Sequence, residues 1–197
     1  MRATMIKSIL LFTLSIFFIG CSLSDDKLVA SDWKPSQEII VINGHTLPPE
    51  PNPAINNSTL LGVDSNDNGV RDDVEIWIYK KYQNEHPIHI DIAMQAGRAW
   101  QKVLEDPSKA KEIHDFVNAP IDCEFYYSND AKYFGESVLV DNEINTKYFI
   151  KNIMFNTKER LEAFLQYDTL LSGDSYTLPK SEVRKSLCDF NTSKYDK

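Results

Sequence analysis

The sequence predicts a mainly α-helical domain that follows a short β element. From residue 74 onward, apolar side chains recur three and four positions apart, which is the period of one helix face. Helix-capping signals stand in the same region, at Asp106-Pro107 and at residues 156–159. Upstream, a β-branched run ends at Asn43-Gly44, and Asn-Gly is the strongest two-residue hairpin signal.

The N-terminus predicts a signal peptide that ends at a lipid-accepting cysteine. Arg2 and Lys7 precede an apolar run over residues 9–19, which is shorter than the roughly 20 residues that a membrane-spanning helix needs. The segment Phe18-Ile19-Gly20-Cys21 resembles the lipobox of bacterial lipoproteins, in which the cysteine becomes the lipidated N-terminus. We therefore expect residues 1–20 to be removed and Cys21 to anchor the chain in a membrane. The alternative is an ordinary secretory signal with an incidental cysteine.

The residues after the cysteine predict a location and a tether. Ser22 follows Cys21, and the resemblance to Gram-negative lipoproteins implies sorting to the outer membrane, because Asp at that position is associated with inner-membrane retention. Residues 21–38 are polar and have no sustained apolar period, so they predict a flexible tether between the lipid and the folded part.

The chain is acidic. Its net charge is −8, and because the first 20 residues contain two basic residues and no acidic one, the remaining 177 carry −10. Such a surface disfavours nucleic acid and anionic lipid as partners and suits a protein that binds cations. The length is enough for one domain with its own core.

Two cysteines remain once Cys21 is set aside. Cys123 and Cys188 form an even pair in an oxidising compartment, which predicts one disulfide. It would close a loop of 65 residues, which chain-entropy estimates value at about 4 kcal/mol. Two buried free thiols are the alternative.

Residues 39–63 predict an extended, proline-rich segment that begins with a short hairpin. Glu38–Ile42 supplies a strand and Asn43-Gly44 the turn. The prolines that hold the following segment extended are Pro48, Pro49, Pro51 and Pro53.

Residues 64–197 predict the helical domain. The first helix has an apolar stripe of Val74, Trp77, Ile78 and Tyr82. A second helix runs from near Pro87 to about Glu105, with one stripe formed by Ile92, Ala96, Ala99 and Val103. A third begins at Asp106-Pro107 and is expected to end before Pro120.

The rest of the domain is less regular. Residues 121–150 have mixed signals, and we expect helix there. The capping box at residues 156–159 predicts a helix that ends at Gly173. Its expected inward residues are Leu161, Phe164 and Leu165. A last short helix over residues 180–187 precedes Cys188.

The strongest chemical signal is the loop over residues 64–75. It has a carboxylate or amide at loop positions 1, 3 and 5, Gly at 6 and Glu at 12, the spacing with which one tight loop surrounds calcium. The predicted ligands are the side chains of Asp64, Asn66, Asn68, Asp72 (directly or through water) and Glu75, and the backbone carbonyl of Val70. Three carboxylates against a doubly charged ion favour calcium over softer metals.

This loop resembles EF-hand loops and, more closely, the dockerin and thrombospondin type 3 loops of secreted proteins, which have no helix before the loop. Pro51 and Pro53 make a poor entering helix, and Arg71 stands where paired EF-hands have an apolar residue. We expect a structural ion with an affinity on the order of 10⁻⁴ to 10⁻³ M. The alternatives are a polar helix-entry turn, with Asp72 and Asp73 stabilising the helix dipole, and a regulatory calcium switch.

Four segments together resemble a group of uncharacterised lipoproteins from Gram-negative bacteria. They are residues 42–44, 47–51, 70–75 and 156–160. The resemblance covers most of the chain after the signal and implies no activity.

The function expected is binding. Common enzyme signatures, such as a nucleophile elbow or a phosphate-binding Gly-rich loop, are missing from the sequence. We expect a calcium-stabilised envelope lipoprotein that acts as a protein-binding or adaptor module. One specific version is an immunity-type protein that neutralises a toxin delivered to the periplasm. An exposed cluster of aromatic residues would mark its partner surface.

Two other chemistries are weaker predictions. A hydrolase of envelope polymers could use acidic residues such as Glu75, Asp91 or Glu124. His86 and His89, with Asp91 nearby, could form a transition-metal site, although surface or capping roles are commoner for such histidines.

Overall fold

The computed structural model describes residue 34, residues 38–141, residue 144 and residues 147–196. These residues form a mainly helical structure with a two-stranded sheet near its N-terminus, as the sequence predicts. The helices are α1 (Pro53–Asn56), α2 (Asp72–Tyr82), α3 (Ile88–Glu105), α4 (Ala110–Phe125), α5 (Lys158–Leu171) and α6 (Ser181–Arg184). In the described part of the chain, none of the helices has both the length and the apolar character needed to cross a membrane.

The predicted hairpin is present. β1 (Val41–Ile42) pairs antiparallel with β2 (His45–Thr46). Asn43 and Gly44 have φ angles of +53° and +79°, and a two-residue type I′ turn requires positive φ at both positions. The N–H of Leu47 donates to the carbonyl of Ile40 at 2.9 Å, which extends the pairing by one step.

The apolar core lies between α2, α3, α4 and α5. The predicted stripe on α3 is buried over its whole length, at Ile92, Ala96, Ala99 and Val103. The ring of Trp100 packs edge-on against Phe155, Phe164 and Tyr167, with centroid distances of 5.8, 6.0 and 6.3 Å. Edge-to-face aromatic pairs of this kind contribute about 0.5–1.5 kcal/mol each beyond the area that they bury.

Helix α4 corrects one sequence expectation. The expected end before Pro120 is wrong, because the helix continues to Phe125. A proline inside a helix costs about 3 kcal/mol, since it lacks the N–H that would bond the preceding turn. Val117, Pro120 and Cys123 are all buried where α4 packs on α3, and this packing offsets the cost.

Residues 121–150 are only partly helical. The chain stays helical through the π turn Tyr126–Asp130 and the 3-10 turn Ala131–Phe134, and it is helical again from residue 147. The expectation of helix is wrong for residues 135–141, which follow Gly135 at a φ of +77°. Glycine adopts this left-handed conformation without strain and so ends the turn.

Helix α5 begins as predicted, and Phe164 packs against the core as expected, but one of the expected inward residues faces solvent. The side chain of Thr157 caps it by accepting the N–H of Arg160 at 3.3 Å. Leu165, expected inside, is 51% exposed. Arg160, Ala163 and Tyr167 are the residues that the helix buries.

The predicted disulfide joins Cys123 on α4 to Cys188. α6 and the 3-10 turn Lys185–Leu187 lie directly before Cys188, where the sequence predicts a short helix. The bond therefore ties the C-terminal segment to the central helix of the domain.

Two fully buried arginines form a cluster that we call the arginine junction, made of Arg71, Arg160 and the oxygens that accept from them. Five hydrogen bonds leave Arg160, to the carbonyls of Asn56, Thr59 and Leu60 and to the side-chain oxygens of Asn57 and Asn156. Arg71 donates to the carboxylate of Asp73 and to the carbonyls of Ile153 and Met154. Burial lowers the pKa of Arg160 to about 10.

Gly62 is part of this junction because nothing larger fits. A Cβ at Gly62 would lie 2.2 Å from Cδ of Arg71 and 2.8 Å from Nη2 of Arg160. Its φ of +69° also belongs to the left-handed region. The glycine thus lets the segment before the loop pass directly over the two guanidinium groups.

Candidate metal centre

Side chains of the loop over residues 64–75 accept hydrogen bonds from backbone N–H groups of the same loop. Asp64 accepts the N–H of Asn68 on Oδ1 at 3.2 Å and the N–H of Gly69 on Oδ2 at 2.8 Å. The side-chain oxygen of Asn68 accepts the N–H of Val70 at 2.9 Å. Asp67 and Gly69 have φ angles of +54° and +81°, which lets the chain turn back sharply. Loop positions 1 to 7 are therefore held in a tight turn before α2.

The carboxylate of Glu75 joins the end of the loop to residues near its start. Its side chain is fully buried, although it belongs to the first turn of α2. Its Oε2 accepts from the amide nitrogens of Asn66 at 3.1 Å and Asn68 at 2.6 Å. Loop positions 3, 5 and 12 therefore meet at one carboxylate. Each amide can present its oxygen in place of its nitrogen by a half-turn about its last bond.

Asp72 and Val70 are also buried in the loop. Oδ1 of Asp72 accepts the N–H of Ser65 at 2.9 Å, whereas its buried Oδ2 has no hydrogen-bond partner. Burial raises the pKa of the Asp72 carboxyl, and the charges of Asp64 and Glu75 add to the shift. Val70 packs its side chain against Gly97 of α3, where a Cβ would lie 3.0 Å from Cγ1 of Val70.

This set of residues fits a hard cation such as calcium. Carboxylate, amide and carbonyl oxygens are the ligands that calcium prefers. The buried Oδ2 of Asp72 is an acceptor that an ion or its water would satisfy. Among the residues that the structure describes, no three His, Cys, Asp or Glu side chains form a group that could hold a metal ion. A site here therefore needs the amide and carbonyl oxygens as well.

His45 contacts this site, although no pattern in the sequence points to it. Its Nε2 lies 2.6 Å from Oε1 of Glu75. Its ring stacks on Tyr79 of α2 with a centroid distance of 4.4 Å and an interplanar angle of 17°. No local pattern joins two residues 30 positions apart, so only the docking of the hairpin on α2 reveals the contact.

The histidines that the sequence did single out have other partners. His86 caps the start of α3, because its Nδ1 accepts the N–H of Ile88 at 3.3 Å. Nε2 of His89 lies 3.3 Å from the carbonyl oxygen of Leu139. The capping interpretation is thus confirmed for His86.

The acidic residues considered for hydrolysis are engaged in contacts. Asp91 accepts from the hydroxyl of Tyr195 at 2.6 Å and pairs with Lys194 at 2.5 Å. Glu124 is buried and accepts the N–H of Ile144 at 2.8 Å. With Glu75 closing the loop, each of the three stabilises the fold.

Exposed apolar side chains also lie on the described surface. Tyr133, Phe134 and Val138 are 74%, 45% and 47% exposed and lie within six residues of one another. A groove of about 380 Å³ runs between α4 and residues 176–187, and its apolar lining includes Ile121, Leu178 and Val183. Four other aromatic residues are buried in the core: Tyr126, Tyr127, Phe149 and Phe155.

The predicted signal peptide (residues 1–20), the predicted lipidation site Cys21 and nearly all of the predicted tether (residues 21–38) lie outside the described residues. Comparisons with protein-family models, curated proteins and solved structures gave no match for this chain.

Proposed function

We propose that this protein is a calcium-stabilised lipoprotein of the bacterial cell envelope that binds another envelope protein. The ion would be held by the side chains of Asp64, Asn66, Asn68, Asp72 and Glu75 and by the carbonyl of Val70. The observation that carries the metal site is the meeting of loop positions 3, 5 and 12 at the buried carboxylate of Glu75. When bound, the ion would supply the positive charge that three neighbouring carboxylates lack.

A structural role for the ion is better supported than a switch. α1 is one turn long and ends at Asn56, eight residues before the loop begins at Asp64, so no entering helix is there to move. Arg71, at the position that links paired loops, is committed to the arginine junction. The ion would therefore hold the loop and the start of α2 in place.

The melting temperature of the purified protein tests the metal site. At a calcium concentration 100 times the dissociation constant, a bound ion stabilises the folded state by about 2.7 kcal/mol. We expect a rise of several degrees from chelator to millimolar calcium, and we expect Glu75→Gln to abolish it. Glu85→Gln, an exposed change just beyond α2, is the control. An equal rise in all three proteins, or none in the wild type, would contradict the site.

The anchor is proposed from the sequence. Cys21 would carry the lipid, and Ser22 would direct the protein to the outer membrane. Mass spectrometry of the membrane-extracted protein should show an N-terminal Cys21 with a diacylglyceryl group, and Cys21→Ser should move the protein to the soluble fraction. A wild-type protein that begins at another residue would contradict this.

Partner binding is supported by the exposed apolar side chains and by the acidic surface. Tyr133 is 74% exposed, and tyrosine is common among residues that dominate binding energy at interfaces. Affinity capture from envelope extracts in calcium should return one protein repeatedly, and Tyr133→Ser should weaken that capture. Leu165→Ser, on the exposed face of α5, is the matched control. Capture of nothing by the wild type would count against the proposal.

A further inference from the structure

The hairpin is small, and its position depends on what it touches. Each strand has two residues, and an isolated two-stranded hairpin is marginally stable in water. Two side chains of the hairpin reach α2 or the residue after it: His45 contacts Glu75, and Asn43 donates to the carbonyl of Gln83 at 3.4 Å. The first of these contacts leads directly to the candidate ion ligand.

The chemistry of the contact between His45 and Glu75 determines which of the two groups is the hydrogen-bond donor. An ionised carboxylate only accepts hydrogen bonds, so Nε2 of His45 donates to Oε1 of Glu75. Stacking on Tyr79 orients the imidazole for this bond. Meanwhile Oε2, the other oxygen of Glu75, faces Asn66 and Asn68 of the loop. The hairpin therefore holds one oxygen of the carboxylate while the loop holds the other.

We propose that His45 is a positioning residue for Glu75, and that ion binding in the loop and docking of the hairpin are thereby coupled. The inference rests on the proposed calcium site and adds a regulatory consequence to it. A donor that fixes a ligating carboxylate reduces the freedom that the carboxylate loses when the ion binds, and loss of such a partner typically weakens metal affinity 10–100-fold. Coupling is reciprocal, so calcium must strengthen hairpin docking by the same factor by which docking strengthens calcium binding.

The hairpin is also the first secondary structure after the predicted tether. Because of this coupling, bound calcium would strengthen the contact between the hairpin, which follows the membrane tether, and the helical domain. At low calcium the hairpin would undock more often, while the disulfide-linked helices would stay folded.

Calorimetric titration of the purified protein with calcium chloride is the first test. We expect His45→Ala to raise the dissociation constant about tenfold or more. His45→Gln should restore most of the affinity, because the glutamine amide can donate from a similar position. Thr46→Ala, whose side chain is exposed beside His45, should bind as the wild type does. Equal or tighter binding by His45→Ala would overturn the inference and leave the calcium site intact.

Hydrogen exchange of residues 40–47 is the second test. In the wild type and in His45→Gln, saturating calcium should slow exchange of hairpin amides such as the N–H of Leu47, which bonds to Ile40. In His45→Ala at saturating calcium, the hairpin should exchange as fast as in chelator. If the wild type binds no calcium, the proposed function and this inference fail together. If it binds calcium without protecting the hairpin, only the inference fails.

Discussion

Two polar clusters include residues at the start of α2, and they differ in how their buried charges are paired. In the arginine junction, Arg160 has one hydrogen bond for each of its five N–H groups, and Arg71 is paired with Asp73. In the loop, the charges of Asp64 and Glu75 act on Asp72, whose Oδ2 is buried without a hydrogen bond.

In the junction, every N–H of Arg160 has an acceptor, whereas the loop contains a buried oxygen that a bound cation would satisfy. A buried charge is tolerated when all of its partners are in place, and it is costly when they are not. The junction supplies its arginines with carbonyl oxygens from two segments distant in sequence, so every N–H of Arg160 has an acceptor. The loop leaves the buried Oδ2 of Asp72 without a donor, and a cation or its water would satisfy that oxygen.

The largest expected effect comes from breaking the junction. Arg160→Met should lower the free energy of unfolding by about 4 kcal/mol, because it leaves several buried oxygens without donors. Calcium should not rescue it, since the loss lies outside the loop. Arg98→Met, which removes a partly exposed pair with Asp189, should cost at most about 1 kcal/mol. Denaturant unfolding checks both, and comparable losses would mean that burial at the junction is not what matters.

A pair of glycines isolates close packing from backbone strain. Gly62 and Gly135 have similar positive φ angles, +69° and +77°, but an added Cβ meets Arg71 at 2.2 Å in the first and nothing within 4 Å in the second. Gly62→Ala should therefore destabilise by about 2 kcal/mol more than Gly135→Ala. Thermal unfolding of the two variants measures the difference, and equal losses would show that only strain acts at Gly62.

The effect of Asp72→Asn on stability should differ between chelator and calcium. Because burial raises the pKa of Asp72, the folded state favours the protonated carboxyl, and the stability that this protonated form contributes is lost as pH rises through the raised pKa. At pH 7 in chelator, the neutral asparagine should therefore stabilise by roughly 1 kcal/mol. In calcium it should reduce the ion-induced rise in melting temperature. A loss of stability in chelator would contradict the surplus of negative charge.

Tyrosine ionisation gives the smallest signal. Burial, followed by the charge of Glu75, raises the pKa of Tyr79 to about 12, and burial raises that of Tyr167 to about 12. A raised pKa means that stability is fully present below pH 10 and is lost between pH 10 and about 12. Calcium beside Glu75 should lower the pKa of Tyr79 and reduce this loss, an effect that Tyr79→Phe removes and Tyr167→Phe keeps. Absorbance at alkaline pH follows it, and no calcium dependence would place the ion elsewhere.

Local patterns predicted much of the fold. The hairpin turn at Asn43-Gly44 follows from a two-residue rule, and α3 follows from one stripe spaced at the helical period. The spacing of residues 64–75 likewise indicated which side chains would share a turn. Each of these rules depends only on residues close to one another in sequence, so one sequence is enough to apply it.

Expectations that depended on neighbours distant in sequence were less accurate. Pro120 ends an isolated helix, but packing on α3 carries α4 past it. Leu165 was assigned to the core by its apolar character, yet the inner face of α5 is taken by Arg160, Ala163 and Tyr167. The contact of His45 with Glu75 spans 30 residues and left no signal in the sequence.

The hairpin, most of the helices and the turn over residues 64–75 could thus be predicted from local patterns, because turn chemistry, helical period and ligand spacing are properties of residues close in sequence. The cysteine pair followed from the count of cysteines. Which charges are buried, and which groups contact them, depends on the packing of segments distant in sequence. This packing brought Arg71 and Arg160 into one junction, left Oδ2 of Asp72 without a donor and set His45 against Glu75. Burial and pairing depend on which segments pack together, and that is settled by the whole chain at once.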